Sequence, residues 1–542
     1  MRISDELPTG QHGRYDYIIV GGGTAGCIIA SRLSGYLPNK KILLIEAGPS
    51  DVGDDRALVL KDRNAMLGTE LDFAYTTVEQ PMGNSHITQS RAKILGGCSS
   101  HNDMVSLRTP EYDAYTWERL GCEGWSFEMF TRVQDKLRLS TLPGAHPRDR
   151  NQMSKDWVQS AHRALGLPLT TNFNDNISSS EGLKPAVGWT PLSYNPENGW
   201  RSSASISYIH PIIRGEEKRP NLTILTNAWV YRINLKGDIA VSVDLTTRDG
   251  TKHTIHSSTE IILCAGAIDT PRLMLLSGLG PREELDAIGI PVIKHIPGVG
   301  KSLQDHPATV VVYDFHEPVP TTTATHSDVL AFLRHKPYNF AGDDGKIPDL
   351  LIHVWALELC QDTTRLGYEK PKNPFCMLPV VLRTQTKGQI YLKSKDHSEK
   401  PAIDFKYFED PAGYDAEILV AGIKAARKIA ETEPFKKLIK KEIAPGPAVT
   451  SDEDLNKYAR AVGTTIFHPA CTTKMGDLDR DPLAVVDSRL RVRGVRNLRV
   501  ADAGVFPIMI TVNLMLTVSA VGERAAELIA EDAGWTGLRA AL

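Results

Sequence analysis

The run Tyr15-Asp16-Tyr17-Ile18-Ile19-Val20 is apolar and β-branched; it breaks into Gly21-Gly22-Gly23-Thr24-Ala25-Gly26, after which Cys27 to Leu33 takes up helical spacing. This pattern predicts a strand, a tight turn and a helix. A second apolar run, Lys41 to Ile45, ends in Glu46, 20 residues after Gly26, and completes a βαβ unit. Thr259 to Leu263 predicts another buried strand, running through Cys264-Ala265-Gly266-Ala267 into a glycine turn. From Ile510 the chain predicts a turn and then a helix over Thr517 to Ala530. Residues from about 160 to 200 and 309 to 465 are rich in Pro, Asn and polar loops. Their short alternating runs, such as Gly388 to Leu392, predict an antiparallel sheet. The fold class is α/β: a discontinuous Rossmann-like nucleotide domain (residues 1–160, 201–308 and 466–542) with an α+β substrate-binding domain (161–200 and 309–465).

The glycines each have a physical task. Gly21 permits the turn, Gly23 lets the backbone approach a pyrophosphate, and Gly26 lets the helix pack close to the strand; the helix amides then face the phosphates. Glu46 would accept hydrogen bonds from adenosine ribose hydroxyls and repel a phosphate there, which disfavours NADP. The motif leaves FAD and NAD both open.

Charge and composition narrow the partners. Sixty-two Lys+Arg against 65 Asp+Glu give a net charge of -3 with no extended basic run, which argues against nucleic acid. Apolar runs are too short to span a bilayer, and Met1 to Gly13 lacks an apolar signal core, so no membrane role is expected. Seven scattered cysteines without CxxC pairs or metal-ligand spacing fit a reduced cytoplasm and no metal site. Ala540-Ala541-Leu542 is not a peroxisomal address.

Arg91 to Asn102, containing Gly96-Gly97-Cys98-Ser99-Ser100-His101-Asn102, resembles the first signature of the glucose-methanol-choline (GMC) oxidoreductases, and Gly266 to Gly280 resembles the second. Further family-like blocks are Pro297 to Pro307, Phe467-His468-Pro469, Leu498 to Ala503 and Thr511-Val512-Asn513, so the resemblance spans nearly the whole chain. It implies FAD. Within the family the wording is most similar to choline oxidases, at Gly96 to Asn102, Arg201 to Pro211 and Gln304 to Pro307. The likeness implies a covalent bond from His101 to the flavin 8α-methyl, with a histidine that merely packs beside the ring as the alternative. It also implies a homodimer and O2 as electron acceptor.

Alcohol oxidation needs a base, a donor for the alkoxide and a hydride acceptor. His468 matches the family's catalytic histidine and Asn513 its partner, able to offer an amide donor to the substrate or to His468. His353 resembles a second active-site histidine that hydrogen-bonds the alkoxide, though alone it reads as an ordinary strand histidine. The remaining histidines, His306 included, read as surface or structural. The implied cofactor shell is Gly21, Gly23, Thr24, Ala25, Gly26, Glu46, Ala47, Gly97, Cys98, His101, Asn102, Val230, Ala265, Asp502 and Ala503. Of these, Cys98, Val230, Ala265 and Asp502 also read as packing. The helix after Asn513 should aim its amides at the reduced flavin.

The chain departs from choline oxidases where a quaternary ammonium would sit. Ala308 replaces a glutamate, Phe467 a tyrosine, and Asn64 and Ser327 fall at tryptophan positions in an ungapped alignment; Ile466 and the residues around Ala308 are the candidates to set oxygen access. An alanine cannot neutralise a buried cation. Glu358 or Asp328 could supply that charge from another wall, and Asp103 adds charge near the flavin edge or faces solvent. The expected activity is an FAD-dependent oxidase of a non-choline primary alcohol, giving aldehyde and H2O2 and open to onward oxidation. The alternatives are a choline oxidase or dehydrogenase with a rearranged cation site, a quinone-linked dehydrogenase, and a non-redox hydroxynitrile lyase.

Overall fold

The first apolar run folds as predicted. Arg14–Val20 is a strand, Thr24–Tyr36 a helix and Ile42–Ile45 a parallel strand, with Ile18 opposite Leu43 and Val20 opposite Ile45. The structure, a computed structural model, describes residues 2–6, 14–178, 182–336 and 347–537. Gly21 turns the chain with a φ of 103° in the region that favours glycine, and a Cβ at Gly26 would lie 1.9 Å from the Gly21 carbonyl oxygen. Gly26→Ala must therefore push the helix off the strand. It is expected to cost about 1–3 kcal/mol or more and to lower flavin content. Thermal melting and the flavin-to-protein ratio check this, and wild-type values for both would contradict the close-approach role.

The strands Arg2–Ser4, Leu222–Leu225, Ile42–Ile45, Arg14–Val20, Lys252–Leu263, Ile239–Thr246 and Trp229–Lys236 neighbour one another in that order, and Leu498–Val500 pairs with Lys252–Leu263. The long strand Lys252–Leu263 serves two environments. Its first part runs antiparallel to Ile239–Thr246 and is partly exposed; its last part lies between Arg14–Val20 and Leu498–Val500, parallel to both and fully buried. Residues far apart in sequence thus share one parallel core, as a discontinuous nucleotide domain requires. The C-terminal helix, Met515–Asp532, packs on Thr24–Tyr36, with Gly522 set against Ala25.

A second sheet contains Leu169–Thr170, Ala186–Trp189, Val329–Leu333, Leu350–Trp355, Pro374–Val381, Val311–Phe315 and Ile439–Ala444, antiparallel except at its first pair. Its central strands are buried almost throughout instead of alternating. One cause is the helix Tyr414–Ala430, which buries Ile418, Leu419, Ile423 and Ile429 against the sheet, each apolar side chain contributing about 1.5–3 kcal/mol.

Two expectations are revised. Gly388–Tyr391 belongs to a small separate sheet with Lys301–Leu303 and Ala402–Asp404. The helix Gln152–Leu165 packs on the second sheet and on Tyr414–Ala430, straddling the boundary expected at 160. Among the described residues no helix is long and apolar enough to cross a membrane.

Candidate active site

A cavity of about 690 Å³ runs from the glycine turn to the second sheet. Gly21, Gly23, Thr24, Ala25, Glu46, Ala47, Val230, Ala265, Asp502 and Ala503 line one part of it; Gly97, Cys98, His101, Asn102, His353, Ile466, Phe467, His468 and Asn513 line the rest. Two expected residues do not. Gly26 acts from behind the wall through its contact with Gly21. Ala308, expected in the substrate pocket, is fully buried in the short strand Pro307–Ala308, opposite Val380 and Thr464, and is not on the cavity wall.

The first part suits an adenine dinucleotide. The helix Thr24–Tyr36 begins at Gly23 without a side-chain cap and without an acid in its first turn, so its N-terminal amides are available to a phosphate. A Cβ at Gly97 would lie 2.6 Å from Gly23 Cα, so two bare backbones face each other there. Glu46 accepts from Gly22 N and Gly48 N, each at 2.8 Å, and burial pushes its carboxyl up to about 7. Asp502 accepts from Gly266 N, Thr270 Oγ1 and Gly504 N, holding both loops of the wall. At the far end, Asn513, Leu514 and Met515 line the cavity at the uncapped start of Met515–Asp532.

The histidines are fixed by chains of hydrogen bonds. His306 Nε2 lies 2.9 Å from the Ile510 carbonyl oxygen, which can only accept, so the proton of a neutral ring is on Nε2 and Nδ1 holds a lone pair. His468 Nδ1 lies 2.7 Å from His306 Nδ1 and must donate to it, which leaves the lone pair of His468 on Nε2. Burial, then the neighbouring His306 and Arg91, hold His468 far below the usual histidine range. It is a neutral ring with its basic nitrogen selected.

The backbone beside it is held under strain. Phe467 has a φ of 64°, a conformation that costs a bulky residue about 1–3 kcal/mol. Its N–H donates to Thr465 Oγ1 at 2.7 Å, its carbonyl accepts from Arg91 Nη2 at 2.7 Å, and His468 N–H donates to Asp305 Oδ1 at 2.8 Å. Asp305 is itself gripped by Tyr407 and Thr465 hydroxyls.

His353 Nδ1 meets Ser327 Oγ, whose hydroxyl donates to the Val354 carbonyl at 2.8 Å; Nδ1 is therefore the donor and Nε2 unprotonated. Burial lowers its pKa. In this state His353 accepts a hydrogen bond rather than donating one to an alkoxide, a correction to the expected role. Ser327, at an expected cage position, backs His353. Asn513 makes no side-chain hydrogen bond among the described residues, to His468 included, and its Oδ1 is buried without a partner. Ser90 Oγ donates to Asp72 Oδ2 at 2.8 Å and lies 3.0 Å from His101 Nε2, so His101 donates through Nε2 and leaves Nδ1 unpartnered. Burial, then Arg91, bring His101 down to about 3.

The expected alternative sources of negative charge are elsewhere. Glu358 pairs with Lys370 at 2.9 Å, Asp328 accepts from Thr323 Oγ1 and Thr325 N, and neither lines the cavity. Asp103 is ion-paired with Arg63. The sequence reading missed His306, Arg63 and Arg91; the Gln304-Asp305-His306-Pro307 block was the one signal for the first.

Residues 15–308 and 384–522 match the models of the GMC oxidoreductase family. The chain is 35% identical to choline oxidase from Arthrobacter globiformis over 535 residues, 95% of this chain and 94% of that protein. It is 31% identical to an alcohol dehydrogenase (acceptor) from Pseudomonas putida, over 97% of this chain and 98% of that one. Among solved structures, pyridoxine 4-oxidase from Mesorbium loti superposes with a TM-score of 0.83 at 26% identity, covering 95% of this chain and 98% of that one.

Proposed function

The chain belongs to the GMC oxidoreductase family as an FAD-dependent enzyme acting on CH–OH groups, and from that premise we propose that it is an oxidase of a primary alcohol other than choline. One alcohol and one O2 give one aldehyde and one H2O2. The observation that carries the reading is the Ile510–His306–His468 chain, which sets an unprotonated nitrogen on the same cavity as the cofactor cradle.

FAD, when bound, would supply the hydride acceptor for the carbinol carbon. The residues Gly23, Thr24, Glu46, Gly97 and the start of Met515–Asp532 would hold it. His468 Nε2 receives the hydroxyl proton, and the imidazolium so formed still donates its Nδ1–H hydrogen bond to His306. Asn513 offers its amide to the oxygen that loses the proton, while its neighbouring helix N-terminus favours negative charge nearby. An aldehyde hydrate brings the same O–H and C–H to the same groups, so onward oxidation needs no new residue.

Choline is disfavoured by the walls around His353. Arg63 Cζ lies 5.4 Å from the Trp355 ring centroid, so the aromatic face already carries a cation. Asp103 is committed to Arg63, and Asp72 is occupied by Gly68 N, Ala74 N, Arg91 N and Ser90 Oγ. Anaerobic flavin reduction by choline and by its uncharged isostere 3,3-dimethylbutan-1-ol tests this: faster reduction by the isostere is expected, and a choline preference would overturn the substrate reading. Peroxide formed in equal amount to aldehyde separates an oxidase from a dehydrogenase.

His101 is the proposed covalent anchor, supported by its neutral, unpartnered Nδ1 on the cavity wall. Acid precipitation should leave flavin with the wild-type protein and release it from His101→Asn; release from both would remove the tether. A homodimer in the cytoplasm completes the proposal, supported by the family likeness and by cysteines that are all free.

A further inference from the structure

The part of the cavity beyond His353 carries two buried donors that no group among the described residues satisfies. Arg63, 6% exposed, pairs through Nε with Asp103 and donates through Nη1 to Asn64 Oδ1 at 2.9 Å, while Nη2 has no partner. Trp355 Nε1 likewise has none, and Arg63 and Trp355 both line the cavity, one over the other. Guanidinium and indole N–H groups can only donate, and a buried donor left without an acceptor is costly. Two such donors on one wall of the cavity call for oxygen acceptors. Arg91, which lines the same cavity, hydrogen-bonds the carbonyls of Ser90 and Phe467 and is paired with no carboxylate among the described residues.

His353 and Trp355 are two residues apart on the strand Leu350–Trp355 and so face the same way, ~7 Å apart along it. An alcohol whose hydroxyl donates to His468 Nε2 and accepts from Asn513 would reach past His353 to that wall with its other end. Resting on the alcohol oxidation proposed above, we propose that the substrate is an ω-hydroxycarboxylate whose carboxylate is received by Arg63 Nη2 and Trp355 Nε1. A planar carboxylate presents two acceptor oxygens to two donors, which a hydrocarbon or an ammonium cannot do.

The test is kcat/KM of the holoenzyme for 3-hydroxypropanoate through 6-hydroxyhexanoate, beside n-alkanols of equal chain length. At one length or more the hydroxycarboxylate should exceed its alkanol by about 10-fold or more. That ratio should fall toward one in Arg63→Met and be partly kept in Arg63→Lys, with flavin content and melting temperature measured for each. Alkanols equal or better at every length in the wild type would overturn the proposal by themselves, whether or not the variants fold; so would a ratio that survives Arg63→Met. Alkanol oxidation without a carboxylate preference overturns this proposal alone, whereas failure of both series to reduce the flavin overturns the alcohol reading with it.

Discussion

Replacing His468 by alanine is expected to lower kcat/KM for the alcohol by about 100- to 10,000-fold, the range of a lost general base. The basis is the lone pair left on Nε2 once Nδ1–H is given to His306. The pH profile supplies a second check with a definite sign. The neutral ring is the active form, and burial with His306 and Arg91 favours that form. The depressed pKa shifts the loss of activity to more acidic pH, so wild-type kcat/KM should stay level as pH falls through 6.5. An acid limb centred at or above 6.5 would contradict the assignment. In His468→Ala the residual rate should instead rise with pH, as solvent replaces the missing base.

His306→Leu should reduce kcat/KM by roughly 100-fold, because it frees His468 to take the wrong tautomer and leaves the Ile510 carbonyl unsatisfied in the interior. His306→Gln is the control. Its carboxamide can donate to Ile510 and accept from His468, as the imidazole does, so most activity and the level profile near pH 6.5 should return. His306 is a positioning residue, acting only through His468. Equal losses in Leu and Gln variants that melt like the wild type would show that it merely fills space.

The βαβ unit and Glu46 were legible because strand, turn, helix and acid follow one another locally. His468, Asn513, His353 and His101 stood in recognisable blocks, and the fold brings all four to one cavity. His306 was passed over because its role depends on partners 162 and 204 residues away. Arg63 lies in the short 3₁₀ helix Leu60–Met66, which has no periodicity to read, and its chemistry comes from Asp103 and Trp355 elsewhere in the chain. Gly388–Tyr391 showed a strand but not its neighbours, since an alternating run of four residues does not specify which edge it joins. The central strands of the second sheet hid their burial for a related reason: the covering helix Tyr414–Ala430 lies elsewhere in sequence.

The pairing of Leu498–Val500 with Lys252–Leu263, and of Met515–Asp532 with Thr24–Tyr36, bears on how the protein is made. A ribosome delivers the glycine turn Gly21 to Gly26 first and the helix that closes the cavity some 500 residues later. Nascent chains must keep an open, apolar cradle from aggregating until synthesis nears its end, and these distant contacts slow the closing step. Flavin loading becomes a late event that reports on a finished chain, and a product stopped before the last helix would be recognisable by its lack of colour.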